Sequence, residues 1–173
     1  VAPFFPSRTM PYAGIFIGEQ AQSLVNLGVN LGVVQFVPTT PWPLPLFKKK
    51  WKDYYGIPQQ YQWHNIDVSS LRYIAIPRNK QLEWTVYQMQ SKLQQYISRA
   101  KCLPDIIHAH FAYPCGLAAV RCGAKYGIPT IVTVHGSDIH TIPKIKQSYY
   151  KEVVETLQRA DQILAVSDYI RCE

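Results

Sequence analysis

The sequence predicts an α/β domain built on a parallel sheet with helices on both faces. Three observations carry this. Short apolar, β-branched runs alternate with amphipathic helical stretches along the chain. The runs are apolar on both faces, as strands of a covered parallel sheet are. Polar and glycine residues follow directly where the clearest runs end, at His110, at His135-Gly136-Ser137-Asp138 and at Ser167.

The elements follow in order. Val1-Ala2-Pro3 reads as the tail of a buried strand, and residues 6–14 as a loop. Ile17, Ala21, Leu24 and Val25 form one stripe of a helix over 16–27, which Gly28 closes. Residues 28–37 read as a strand. Residues 38–62 hold five of the 13 prolines and read as a long loop with room for one short helix. A strand is predicted over 71–77. A helix over 81–100 follows, with Leu82, Val86, Met89, Leu93 and Ile97 close to a 3.6-residue period. Residues 104–110 form a short strand, 116–126 a helix rich in small residues closed by Gly127, and 128–136 a strand ending in a glycine turn. An amphipathic helix over 146–159 and a further buried strand over 160–167 complete the pattern, with Ser167 placed to cap another helix.

Composition bounds the function. The chain has 173 residues, 47% hydrophobic and 17% charged, which is globular rather than disordered. No apolar run reaches the length of a spanning helix. The opening residues lack the basic, apolar and cleavage order of a secretory signal, and without an initiating Met the sequence reads as part of a longer chain. The net charge of +7 favours an anionic partner. No nucleic-acid module is recognisable, so that partner class is set aside. Cys102, Cys115, Cys122 and Cys172 form no Cys-x-x-Cys pair and read as reduced thiols of a cytosolic protein, with Cys115 and Cys122 on one helix face.

In open parallel sheets the ligand crevice lies beyond the carboxyl ends of the strands. That rule selects His110 with Phe111-Ala112-Tyr113-Pro114, then His135-Gly136-Ser137-Asp138, then Ser167. In the second set His135 donates or accepts near neutral pH, Gly136 lets backbone approach a ligand, and Asp138 accepts from sugar hydroxyls. A plain strand-to-helix turn is the alternative for this set. His108 and His110 are expected on opposite faces of their strand, with His108 a satisfied structural residue. His110, His135 and His140 are a conceivable zinc set, but no metal is assigned. Gly14, between a strand tail and a helix, suits a phosphate at a helix N-terminus, or an ordinary turn. Neither a Gly-x-Gly-x-x-Gly fingerprint nor a Walker loop is present. Lys48, Lys49, Lys50, Trp51 and Lys52 mix cations with an interfacial aromatic, which suits an anionic membrane surface, a lipid-phosphate acceptor or a solvated loop.

Taken in order, these segments resemble the N-terminal, Rossmann-like domain of a retaining GT-B glycosyltransferase of family GT4. The resemblance rests on Ala2-Pro3-Phe4-Phe5-Pro6 with Gly14-Ile15-Phe16, and on Gln20-Ala21-Gln22-Ser23-Leu24 leading to Gly28-Val29. It continues through Pro104-Asp105-Ile106-Ile107-His108-Ala109-His110 and Thr133-Val134-His135-Gly136-Ser137-Asp138, to the run over 160–167. The resemblance implies that residues 1–173 form the acceptor-side domain, with a donor-binding domain beyond this chain. It implies transfer from a nucleotide-sugar to a glycan or lipid-linked acceptor in envelope polysaccharide assembly, with retention and without metal or other cofactor. The expected location is the cytoplasm, where the lysine patch suits peripheral docking at the inner face of a membrane. Gly14 is expected near the donor diphosphate and His135 against the transferred sugar, both at one rim of the sheet. His110 and Asp138 are expected in the cleft. The alternatives are a non-catalytic module for carbohydrate or anionic surfaces, and an epimerase or phosphorylase of the same fold. The Pro- and Lys-rich insertion after Val37 departs from the family pattern.

Overall fold

The computed structural model describes residues 1–40, 49–75 and 82–172. Pro41, Pro43, Pro45, Lys48, Ile76, Pro77 and Gln81 lie outside the described residues. The chain forms two compact units, one of residues Ala2–Gln81 and one of Leu82–Glu173 together with Val1.

In the first unit, helix α1 (Ile15–Asn26) is followed by β1 (Gly32–Thr39), α2 (Lys49–Tyr55), β2 (Gln60–Trp63) and β3 (Ile66–Ile74). The strands pair in the order β1-β3-β2, with β1 parallel and β2 antiparallel to β3. Ala2 adds a parallel bridge to Gln35 on the other edge of β1. The core gathers Phe5, Ile17, Ala21, Val33, Phe36, Ile66 and Val68. Gln35, polar within an apolar strand, is buried and donates to Tyr61 Oη and Ser70 Oγ at 3.0 Å each. Gly18 lets α1 lie against Trp63, because a Cβ there would sit 2.8 Å from the indole.

Four expectations change here. The sheet of this unit is not all parallel, and β2 replaces part of the predicted loop. The reason is a two-residue hairpin, His64-Asn65, with φ of 46° and 66°. Both values positive define a type I′ turn, which asparagine tolerates, and the usual Asn-Gly signal is absent. As a consequence the strand expected over 71–77 begins at Ile66. The strand expected from Gly28 begins at Gly32, because the amides of Gly28 and Val29 return to Val25 and Leu24 carbonyls and close the helix.

In the second unit, α3 (Leu82–Ser98) leads to β4 (Ile107–His110), a π-helical turn (Ala112–Gly116), α4 (Leu117–Tyr126) and β5 (Thr130–Val134). Short helices α5 (Ser137–His140) and α6 (Ile142–Ile145) precede α7 (Gln147–Arg159), β6 (Gln162–Ala165) and α8 (Asp168–Arg171). Here the strands are parallel in the order β4-β5-β6, with helices around them, as expected of a Rossmann-like half of a GT-B fold. The small residues of α4 serve close packing: Ala118 and Ala119 are buried, and a Cβ on Gly123 would meet Thr130 Oγ1 at 2.1 Å. Val86, Met89, Leu93 and Ile97 of α3 are buried on one stripe. Arg121 joins α4 to α7 by donating two hydrogen bonds to the Glu155 carboxylate, at 3.0 and 2.7 Å. Cys115 lies in the π-helical turn rather than on a helix face shared with Cys122. Burial pushes both thiols up to about 12. Among the described residues no helix is long and apolar enough to cross a membrane.

Candidate functional site

Three adjacent parallel strands of the second unit end together, and each ends in a predicted site residue. His110 is the last residue of β4, His135 follows β5, and Ser167 lies just beyond β6. The carboxyl ends of parallel strands are where ligands of such sheets bind.

The imidazoles do not sit as the sequence reading expected. His108 and His110 share one face and stack, with ring centroids 4.7 Å apart and planes 26° apart. The correction is elementary: residues i and i+2 of a strand point the same way. His108 Nε2 lies 2.7 Å from Thr133 Oγ1, and His110 Nδ1 lies 3.1 Å from His135 Nε2. The His110 amide donates to the Val1 carbonyl at 3.0 Å. Burial lowers His108 to about 4 and His110 well below the ordinary histidine range. His135 is half-buried and is also lowered by burial, against an opposing pull from the Asp138 carboxylate. All three rings are therefore neutral near pH 7.

Asp138 shapes the loop that carries His135. It is 1% exposed. Its Oδ1 accepts from the amides of His135 at 3.0 Å and Gly136 at 2.9 Å, and its Oδ2 accepts from Ala112 at 2.7 Å. The carboxylate thus ties the turn after β5 to the turn after β4. Gly136 has φ +107°, outside the range that side chains adopt easily, and a Cβ there would meet Ile170 Cδ1 at 3.3 Å. Ser167 caps α8, its Oγ accepting from the Ile170 amide at 3.4 Å. It lines a depression of about 680 Å³ beside β6, together with Val134, Ile139, Leu164 and Ile170.

Phe111 is a contributor that the sequence reading placed in the region without assigning it a part. Its ring stacks on His135 at 4.3 Å and 28°, and its backbone holds φ +69°. A non-glycine residue so held stores strain of about 1–3 kcal/mol, and such residues cluster at functional sites. Thr133 was missed. The signal for it was its position two residues before His135, on the same face of β5.

In the first unit, Gly14 precedes α1 with φ +67° and ψ 31°. A Cβ there would meet Phe4 Cδ2 and the Phe4 carbonyl oxygen at 2.8 Å. The first turn of α1 holds no acidic residue. Lys49, Lys50 and Lys52 are exposed on α2, and Trp51 packs its ring 5.8 Å from Tyr54. Lys48 lies outside the described residues. Among the described residues no group of three or more histidine, cysteine or acidic side chains is placed to hold a metal ion.

Parallel strands bearing polar, strained turns at their carboxyl ends define a Rossmann-like domain. The chain belongs to Glycosyltransferase Family 4, whose profile matches residues 13–173. It is 30% identical over 175 residues to a Bacillus subtilis (strain 168) protein named for teichuronic acid biosynthesis, glycosyltransferase TuaC. That match covers 100% of this chain and 44% of TuaC, so the chain spans less than half of that relative's length. It is also 38% identical over 68 residues to the uncharacterized glycosyltransferase MJ1178 of Methanocaldococcus jannaschii, covering 39% of this chain and 19% of that protein.

Proposed function

We propose that residues 1–173 are the acceptor-side domain of a nucleotide-sugar-dependent glycosyltransferase that transfers with retention. The observation that carries this reading is His135, held by the turn after β5 beside His110, in a chain of Glycosyltransferase Family 4. In the proposed mechanism His135 hydrogen-bonds the transferred sugar near its reacting carbon and orients the oxocarbenium-like centre. A neutral imidazole is suited to this, since it offers one donor and one acceptor. The Asp138 carboxylate keeps the turn fixed, so little reorganisation accompanies the charge that develops. Gly14 brings the start of α1 toward the donor diphosphate, where amide groups and the helix dipole favour anions. Most of the donor is bound by a second domain beyond Glu173, a reading supported by the 44% coverage of TuaC. Leaving-group stabilisation comes largely from that domain, and residues 1–173 alone do not turn over. No metal is required in this scheme.

The proposed acceptor is a glycan or lipid-linked precursor of an envelope polysaccharide, supported by the similarity to a protein named for teichuronic acid biosynthesis. Exposed Lys49, Lys50 and Lys52 beside Trp51 suit a cytoplasmic protein that docks peripherally on anionic lipid. The test is a nucleotide-sugar panel assayed on the protein carrying this chain, with His135→Ala as the variant. Transfer falling about a hundredfold or more, with an unchanged melting curve, supports the role. Wild-type turnover by that variant refutes it.

A further inference from the structure

The contact between His110 and His135 has a direction, and the direction has a chemical consequence. Two imidazole nitrogens 3.1 Å apart hold one proton between them, so one ring donates and the other accepts. His110 is 6% exposed and stacked against His108, whose Nε2 is engaged with Thr133 Oγ1. His135 is half-buried, with the Asp138 carboxylate bound to its own amide. With both rings neutral, a proton on His135 Nε2 leaves each ring as the Nε2–H tautomer that histidine intrinsically favours, whereas a proton on His110 Nδ1 requires the less favoured Nδ1–H form of both rings.

We propose that His110 is a positioning residue for His135, its Nδ1 lone pair accepting the Nε2–H of His135 and holding that ring in the Nε2–H tautomer. The inference rests on the proposed role of His135 in transfer, and it assigns the form in which His135 acts. Thr133 anchors His108, the 4.7 Å stack sets the plane of His110, and His110 sets the proton of His135. Neutral His135 then carries its lone pair on Nδ1. When the ring gains a proton, Nδ1 becomes a donor while the Nε2–H bond to His110 persists. His135 thus changes from acceptor to donor at Nδ1 without turning its ring, which matters for a group that must answer charge developing on a sugar. Asn or Gln at position 135 offers only a fixed donor or acceptor and lacks this property.

The decisive measurement is nitrogen NMR on the protein carrying this chain, with ¹⁵N-labelled histidine, which needs neither donor nor acceptor. The expected spectrum shows a through-hydrogen-bond coupling between His110 Nδ1 and His135 Nε2, with the proton on His135 Nε2. A proton on His135 Nδ1 in the neutral ring, or no coupling in a folded chain, overturns the proposal. Kinetics on the protein carrying this chain supply a second arm. His110→Leu removes the acceptor and should lower kcat about tenfold with KM within about twofold. His110→Asn returns an acceptor oxygen near the position of Nδ1 and should recover most of that loss. Equal turnover by the two variants overturns the positioning role. Should His110→Leu fail to fold, the wild-type coupling decides the matter alone. The two readings fail separately. An active His135→Ala with the coupling intact refutes the transfer role of His135. An inactive His135→Ala with no coupling refutes only the part given to His110.

Discussion

Asp138 reaches across from the turn after β5 to Ala112 in the turn after β4, its Oδ2 accepting the Ala112 amide at 2.7 Å while Oδ1 accepts the amides of His135 and Gly136. The carboxylate therefore spends its hydrogen bonds on backbone. The sequence reading gave it sugar hydroxyls as partners, whereas the geometry supports a part in holding His135 still. Bonds to a charged acceptor contribute about 1.5–3 kcal/mol each, and donors left buried without partners cost as much. Asp138→Ala should lower unfolding stability by about 3 kcal/mol or more, read as the midpoint in urea. Asp138→Asn offers one oxygen where two are needed and should fall between. A midpoint unchanged in Asp138→Ala would show that the two turns stand without this tie.

The buried histidines predict acid sensitivity. Burial lowers the pKa of His108 to about 4, from an ordinary 6.5. In the window between these values the unfolded chain holds a proton that the folded chain does not. Stability therefore rises with pH across the window. The contribution is complete above pH 6.5 and is lost as pH falls toward 4, at up to about 1.4 kcal/mol per pH unit for each such histidine. His110, shifted further in the same direction, adds to the slope. The melting temperature should fall between pH 7.5 and pH 5, and His108→Gln should shrink that fall. A melting temperature flat across the range would mean that the rings are not held neutral.

Two glycines separate backbone strain from contact. Gly14 and Gly28 both have positive φ, at +67° and +87°. A Cβ at Gly28 would meet nothing within 4 Å, whereas one at Gly14 would meet the Phe4 ring and carbonyl at 2.8 Å. Gly28→Ala should thus cost only the left-handed backbone, about 1–2 kcal/mol. Gly14→Ala should cost measurably more, because a carbonyl oxygen cannot swing aside as a side-chain end does. Equal costs in chemical denaturation would mean that Phe4 yields freely.

The second unit was the more legible in the sequence, for a physical reason. β4 and β5 are largely buried, so Ile131-Val132-Thr133-Val134 stands out as apolar and β-branched, and the residues just after each run mark the candidate site. β6, expected to be buried as well, instead leaves Ile163 and Leu164 exposed. Gly127 and Ser167 ended and began helices as their chemistry requires. The first unit hid β2, because Gln60-Tyr61-Gln62-Trp63 is a half-exposed edge strand turned by His64-Asn65, and neither feature resembles the common hairpin signal. The placing of His108 was an error of period rather than of missing information, since alternate residues of a strand share a face. The Asp138–Ala112 tie was not legible, because residues 26 apart in sequence meet only once the sheet is formed.

Arg72 supplies the last prediction, through the helix that carries the lysines. Its guanidinium donates to the carbonyls of Tyr54 and Tyr55 at 3.4 Å each and of Ile57 at 2.5 Å, and it lies 5.9 Å from the centre of the Tyr55 ring. These are carbonyls at and beyond the end of α2, which the helix cannot satisfy itself. A planar fork can serve several at once, while an ammonium is a point charge. Arg72→Lys should loosen α2 and speed amide exchange over Lys49–Tyr55, leaving exchange in α4 unchanged. Lysines near an anionic surface contribute about 1 kcal/mol each, so Lys49→Gln, Lys50→Gln and Lys52→Gln together should weaken binding to phosphatidylglycerol vesicles about a hundredfold. Arg72→Lys keeps the net charge, so it should weaken vesicle binding only to the extent that the folded helix presents those lysines. Full vesicle binding by the triple variant would remove α2 from the membrane, and full exchange protection of α2 in Arg72→Lys would remove the clamp.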